Sequence, residues 1–206
     1  MGSEMCIRDR LYKDGLQRDR FLPAIALIKK HCRIFNLDSG IDYRLRALEN
    51  AKLYYAPCDG LAIDAIWESV LALTTEEITR EGGFIEIKRR QIPVRFVTED
   101  LVWFDFNEIC GPGRAAPDYI EVAKIYHTVV VTAVPDLVIA GDDVTRRFLH
   151  LVDEFYDRSV NLILGADVSM EALYTAGRLT FEMERCRSRL LEMQSVEYLE
   201  RPHRPS

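Results

Sequence analysis

Hydrophobic and polar residues change period several times along this chain, and each change marks an element. From Asp19 to His31 the apolar residues Phe21, Leu22, Ile25, Leu27 and Ile28 recur near helical spacing. Pro23 falls in the first turn, where a missing N–H is tolerated. Arg33 to Leu37 then alternates like a strand, and Asp38-Ser39-Gly40 reads as a turn. Leu53 to Ala56 predicts a short strand, and Ala62 to Leu73 an amphipathic helix containing Trp67. Past Gly82-Gly83, Ile85 and Ile87 alternate with Glu86 and Lys88. Ile92, Val94 and Phe96 alternate with Pro93 and Arg95, and Val102, Phe104 and Phe106 with Trp103 and Asp105. A period of two over three short segments predicts a small antiparallel sheet with one wet face, and Pro93 demotes its strand to an edge.

Beyond the turn Gly111-Pro112-Gly113 the segments lengthen. Asp118 to Tyr126 predicts a helix and Thr128 to Val134 a β-branched buried strand. Asp143 is expected to cap a long helix around Thr145 to Arg158. Val160 to Leu164 predicts another buried strand, and Phe181 to Met193 a final amphipathic helix. Strands alternating with helices predict an α/β fold with a parallel sheet. The short stretch Val152-Asp153-Glu154-Phe155 imitates the acidic strand of phosphate-loop ATPases. However, Phe148, Leu151, Val152 and Phe155 share one helical stripe interrupted by His150, so the reading is helix.

These periods suggest a layout of five pieces: 1–10, 11–49, 50–113 with α+β character, 114–200 with α/β character, and 201–206. The last, with two prolines, is expected to lack order. The first, MGSEMCIRDR, has no apolar period and no cap. It reads as the in-frame translation of a transposon-type sequencing adapter, and is set aside as a non-native leader.

Composition narrows the class. The 206 residues are 48% hydrophobic and 29% charged, which suits a globular protein with a substantial core. A net charge of −6, with arginines interleaved among carboxylates, argues against a dedicated nucleic-acid binder. No apolar run approaches the ~18 residues that span a bilayer. Outside the leader, Cys32, Cys58, Cys110 and Cys186 are scattered, without a C-x-x-C pair, and read as reduced cytosolic thiols rather than a metal site.

Few stretches carry chemistry. The chain contains no G-x-x-x-x-G-K-[ST] loop and no G-x-S-x-G elbow, and Gly111-Pro112-Gly113-Arg114 is a turn without the lysine a phosphate loop needs. Arg146 and Arg147 begin the long helix, and Arg185 and Arg189 share a face of the last one. A faint echo is also present: Leu11-Tyr12-x-x-Gly15 and Leu173-Tyr174-x-x-Gly177 each precede an arginine-containing amphipathic helix.

Five blocks in order, LYKDGLQRDRFLPAI, LDSGIDYRLRAL, PDYIEVAKIYHTVVV, TRRFLHLVDEFYDR and FEMERCRSRLLEMQSVEYL, resemble the ZapE-type cell-division ATPases, a branch of the AAA+ family. The resemblance covers Leu11 to Leu199 and implies the C-terminal portion of a P-loop ATPase, with 50–113 as an inserted antiparallel α+β element. It implies that Arg18 is the arginine finger acting in trans on a neighbour's γ-phosphate, with Arg20 a weaker candidate. It makes Arg146, Arg147, Arg185 and Arg189 candidates for nucleotide or subunit contact. For the full-length parent it implies ATP and Mg2+, with none expected for this fragment alone. The implied partners are copies of itself in an ATP-dependent oligomer and a cytoskeletal or division protein, in the cytoplasm at the division site, without nucleic acid or a membrane span. The alternative is a non-catalytic protein-interaction module.

Overall fold

The computed structural model describes residues 51–74 and 82–205, together with Pro23, Leu27, Leu45 and Leu48. The chain divides into two units, 1–41 and 42–206, and the description below concerns the second. The readings made for residues 1–22 and for the strand at 33–37 lie outside the described residues.

Five strands make the main sheet: β1 (Tyr54–Tyr55), β4 (Phe96–Val97), β5 (Leu101–Asp105), β6 (Thr128–Val134) and β7 (Asn161–Ala166). Their spatial order is β1-β7-β6-β5-β4, parallel throughout except that β4 runs antiparallel to β5. A parallel sheet is covered on both faces, so its strands read as continuous apolar runs. Val129, Val130 and Val131 of β6 and Ile163 of β7 are accordingly fully buried. The same logic corrects one expectation. Leu101–Asp105 was expected to alternate wet and dry within a small antiparallel sheet, but it is buried from Leu101 to Phe104 and lies inside the parallel sheet. Trp103, assigned to the polar side of that alternation, is 2% exposed and donates its indole N–H to Thr132 Oγ1 at 2.9 Å.

The antiparallel expectation does hold for β2 (Phe84–Ile87) and β3 (Arg90–Pro93), which form a separate two-stranded hairpin. Ile85, Ile87 and Ile92 face inward, while Phe84, Glu86 and Gln91 are exposed. The turn residues Lys88 and Arg89 both take positive φ, the conformation of the tight hairpin turns. Arg90 then pins the hairpin to the body. Its guanidinium pairs with the buried carboxylate of Asp118 and donates to Gly113 O at 2.8 Å.

Seven helices lie within 51–205 among the described residues: four fall close to their predicted positions, while the short ones at Phe106–Cys110, Leu137–Ala140 and Val196–Leu199 were not expected, and Phe106 was read as a strand residue. They are α1 (Gly60–Leu73), α2 (Phe106–Cys110), α3 (Ala116–Ile125), α4 (Leu137–Ala140), α5 (Asp142–Asp157), α6 (Thr180–Glu192) and α7 (Val196–Leu199). Over the sheet, Trp67 of α1 meets Phe96 edge-on at 5.1 Å and Trp103 at 5.6 Å. Gly165 permits this approach, since a Cβ there would stand 2.6 Å from Cys58 Sγ and 3.2 Å from Ile66 Cδ1. Asp143 is not the cap of α5. Gly141, at φ 92°, holds that position, and Asp142 and Asp143 sit in the first turn, where acidic residues suit the helix dipole. The segment Val152–Phe155 is helical, with Phe148, Leu151, Val152 and Phe155 fully buried.

The C-terminal stretch expected to lack order instead folds back over the body. Arg201 pairs with Glu192 at 2.6 Å, and Arg204 N–H donates to Arg158 O at 3.0 Å. His203 Nε2 lies 2.5 Å from Ala123 O, and its ring stacks on His127 with centroids 4.9 Å apart.

Candidate functional site

The described arginine candidates converge on α5 and α6, which pack against each other. They do not share one role. Arg146, in the first turns of α5, is exposed and has no partner among the described residues. Its neighbour Arg147 turns back and is half-buried, donating Nε–H to Cys110 O, the end of α2, at 2.7 Å. Arg185 and Arg189 both close on Asp153 across the α5–α6 seam, Arg185 at 2.7 Å. Arg189 also lies 3.9 Å from Asp157 and 4.9 Å over the ring of Tyr156. A guanidinium can stack and pair at once because its charge is planar and delocalised.

Tyr156 makes this seam continuous. Its hydroxyl donates to Glu192 Oε2 at 2.6 Å, and Glu192 in turn holds Arg201, whose guanidinium stacks 4.9 Å over Tyr198. The Tyr156 hydroxyl and, after it, Arg201 hold the Glu192 carboxyl below its usual range. Periodicity placed Tyr156 on a helix but gave no sign of its partner 36 residues away. Arg90 and Asp118 were missed for the same reason. Asp118 does carry a local signal, because it follows Pro117 at the start of α3 and accepts from Ala115 N–H at 3.1 Å.

Two buried thiols add no reactivity. Burial pushes Cys110 up to about 12 despite the nearby Tyr119 hydroxyl and Arg147, and burial likewise pushes Cys186 up to about 12. Arg18 and Arg20 lie outside the described residues.

The family described as AFG1-like ATPase matches residues 5–202. The chain belongs to the AFG1-like ATPase family. It is 42% identical over 199 residues to the cell division protein ZapE of Escherichia coli, covering 95% of this chain and 52% of that protein. It is 35% identical over 189 residues to lactation elevated protein 1 homolog B of Danio rerio, covering 90% of this chain and 37% of that protein. An uncharacterised protein of Schizosaccharomyces pombe is 31% identical over 165 residues, covering 80% of this chain and 36% of its own length. The chain thus spans about half the length of the curated bacterial relative it matches. No solved structure matches it.

The AFG1-like family implies ATP, and with it Mg2+, and the described residues do not fit either group. Among them no three His, Cys, Asp or Glu side chains gather to hold a metal. The N-terminus of α1, the helix that follows β1, is capped by its own Asp59, which accepts from Ala62 N–H at 2.9 Å. Among the described residues, the α5–α6 arrangement presents one guanidinium without a partner, Arg146, on a surface braced by internally paired arginines.

Proposed function

We propose that this chain is the C-terminal part of a ZapE-like AAA+ ATPase that couples ATP hydrolysis between subunits to remodelling of a protein partner in cell division. The observation that carries the reading is the extent of the match: 95% of the chain pairs with 52% of the Escherichia coli cell division protein at 42% identity. In this reading nucleotide is held by residues outside 51–205. Arg18 reaches a neighbour's γ-phosphate, where a fixed planar charge stabilises the spread charge of the transition state. Arg146 faces the adjacent subunit, since among the four described candidates it alone is not engaged in a contact. The hairpin β2–β3, with Phe84 62% exposed, is the surface offered to the partner protein in the cytoplasm at the division site.

The test is to read the source DNA upstream of the codon for Leu11 and express the chain with any in-frame upstream half restored. The restored protein is expected to oligomerise on ATP and hydrolyse it. Arg18→Ala should cut kcat by about 10³–10⁵ while nucleotide stays bound. A restored chain that binds no ATP would sink the ATPase reading and leave a non-catalytic interaction module.

A further inference from the structure

Strand order gives this body a second meaning. The chain leaves β1 through α1, passes by the β2–β3 hairpin and the edge strand β4 into β5, and then walks back through β6 to β7, which lies beside β1. A phosphate-loop ATPase core is wired in that order. Its first strand and loop feed a helix that crosses to an outer strand, and the acidic strand and the sensor strand return toward the first. Such sheets bind ligands at the carboxyl ends of their strands, where the order reverses. In this body that place lies at the ends of β1 and β7.

At the positions where such a core would meet nucleotide, this chain differs one by one. Between Tyr55 and Gly60 only Ala56, Pro57, Cys58 and Asp59 intervene, too few to wrap phosphates. The helix N-terminus that would face an anion is instead engaged by the Asp59 carboxylate. Beside it Cys58 packs close on β7, so that a Cβ on Gly165 would stand 2.6 Å from its Sγ. β6 ends Thr132-Ala133-Val134 and is followed by Pro135 and Asp136, whose carboxylate, where an acidic pair would hold Mg2+, instead accepts from Val138 N–H of α4 at 2.8 Å. The Thr132 hydroxyl receives the Trp103 indole N–H, and Ala133 is turned into a left-handed bulge at φ 59°. After β7 comes the loop whose Leu-Tyr-x-x-Gly repeats that of Leu11 to Gly15. Arg18 lies three residues beyond Gly15; the same step from Gly177 reaches Thr180, whose hydroxyl donates to Gly177 O at 2.8 Å.

We infer that the described residues of 51–205 form a second, closed P-loop-type core that takes no nucleotide, so that an AFG1-like chain pairs one ATP-binding core with one closed to it. The inference rests on the ATPase reading only for where the open core lies. Closure is a property of this chain and is testable on it.

The experiment photolabels the whole 206-residue chain with 8-azido-ATP and Mg2+, and maps the labelled peptides. The expected result is no label within 51–205, whether or not label appears earlier in the chain. A competable label on the turn 56–62 or the loop after β7 would overturn the inference. Melting Asp59→Ala and Asp59→Ser supplies the second arm. Alanine should lower Tm by about 2–4 °C and serine, which still caps, should leave it nearly unchanged. Unchanged melting in Asp59→Ala would show that the carboxylate does not hold the helix start, and would equally overturn closure. If a restored longer chain also bound no ATP, the ATPase reading would fall while the closed core stood.

Discussion

The two ends of α5 carry charge to different purposes. At its start Arg146 points out with no partner among the described residues. Toward its end Asp153 gathers Arg185 and Arg189, and Tyr156 passes the contact on to Glu192 and Arg201. Arginines from blocks of the same resemblance therefore divide by what the fold brings opposite them. Where a carboxylate arrives from another helix, the guanidinium braces the seam; where none does among the described residues, it stays exposed.

Mutations can break this contrast. The buried stripe of α5 sets the scale: Phe155→Ala should cost about 3–5 kcal/mol by chemical denaturation, because it empties a fully buried ring site. Asp153→Ala should come next, at about 1–3 kcal/mol, since it strands Arg189, whose side chain is only 22% exposed, against Tyr156. In a double-mutant cycle Arg189→Met should recover part of that loss, and strict additivity would show that the pair is not coupled. Arg146→Ala should change stability by less than about 0.5 kcal/mol, as an exposed residue away from packing. A loss matching that of Asp153→Ala would erase the distinction between the ends.

The smallest effect concerns pH. The Glu192 carboxyl is held below its usual range by Tyr156 and Arg201. Its contribution is therefore complete above the unfolded carboxylate range, near pH ~4.3, and is lost as pH falls through the lowered folded value. Acid titration of Glu192→Gln, followed by tryptophan fluorescence, should show a shallower loss of stability below that range than the parent. Identical acid slopes would mean that the seam does not depend on this carboxylate.

Element type was largely legible. Thr128–Val134 is a strand as its β-branched run implied, and α1, α5 and α6 fall within a few residues of their periodic stretches. The failures have physical causes. Leu101–Asp105 carries an alternation, but Trp103 and Asp105 supply the polar phase, and an indole that finds Thr132 can be buried as easily as a valine. Lys88-Arg89 makes a tight turn without the glycine or asparagine that usually marks one. The cap of α5 was misread because an aspartate in the first turn resembles a cap, while Gly141 just before it takes the conformation that side chains resist. The site was less legible than the fold. Arginine identity could be read, but Asp153 reaches Arg189 over 36 positions of chain, and no local pattern encodes that distance.

The folded-back C-terminal stretch changes what the end of the body is mechanically. A pull applied near residue 205 does not first peel away a loose thread. It loads Arg204 against the end of α5 and His203 against Ala123 of α3, and through Arg201 it draws on Glu192 at the end of α6. Three helices, α3, α5 and α6, therefore anchor residues 201–204.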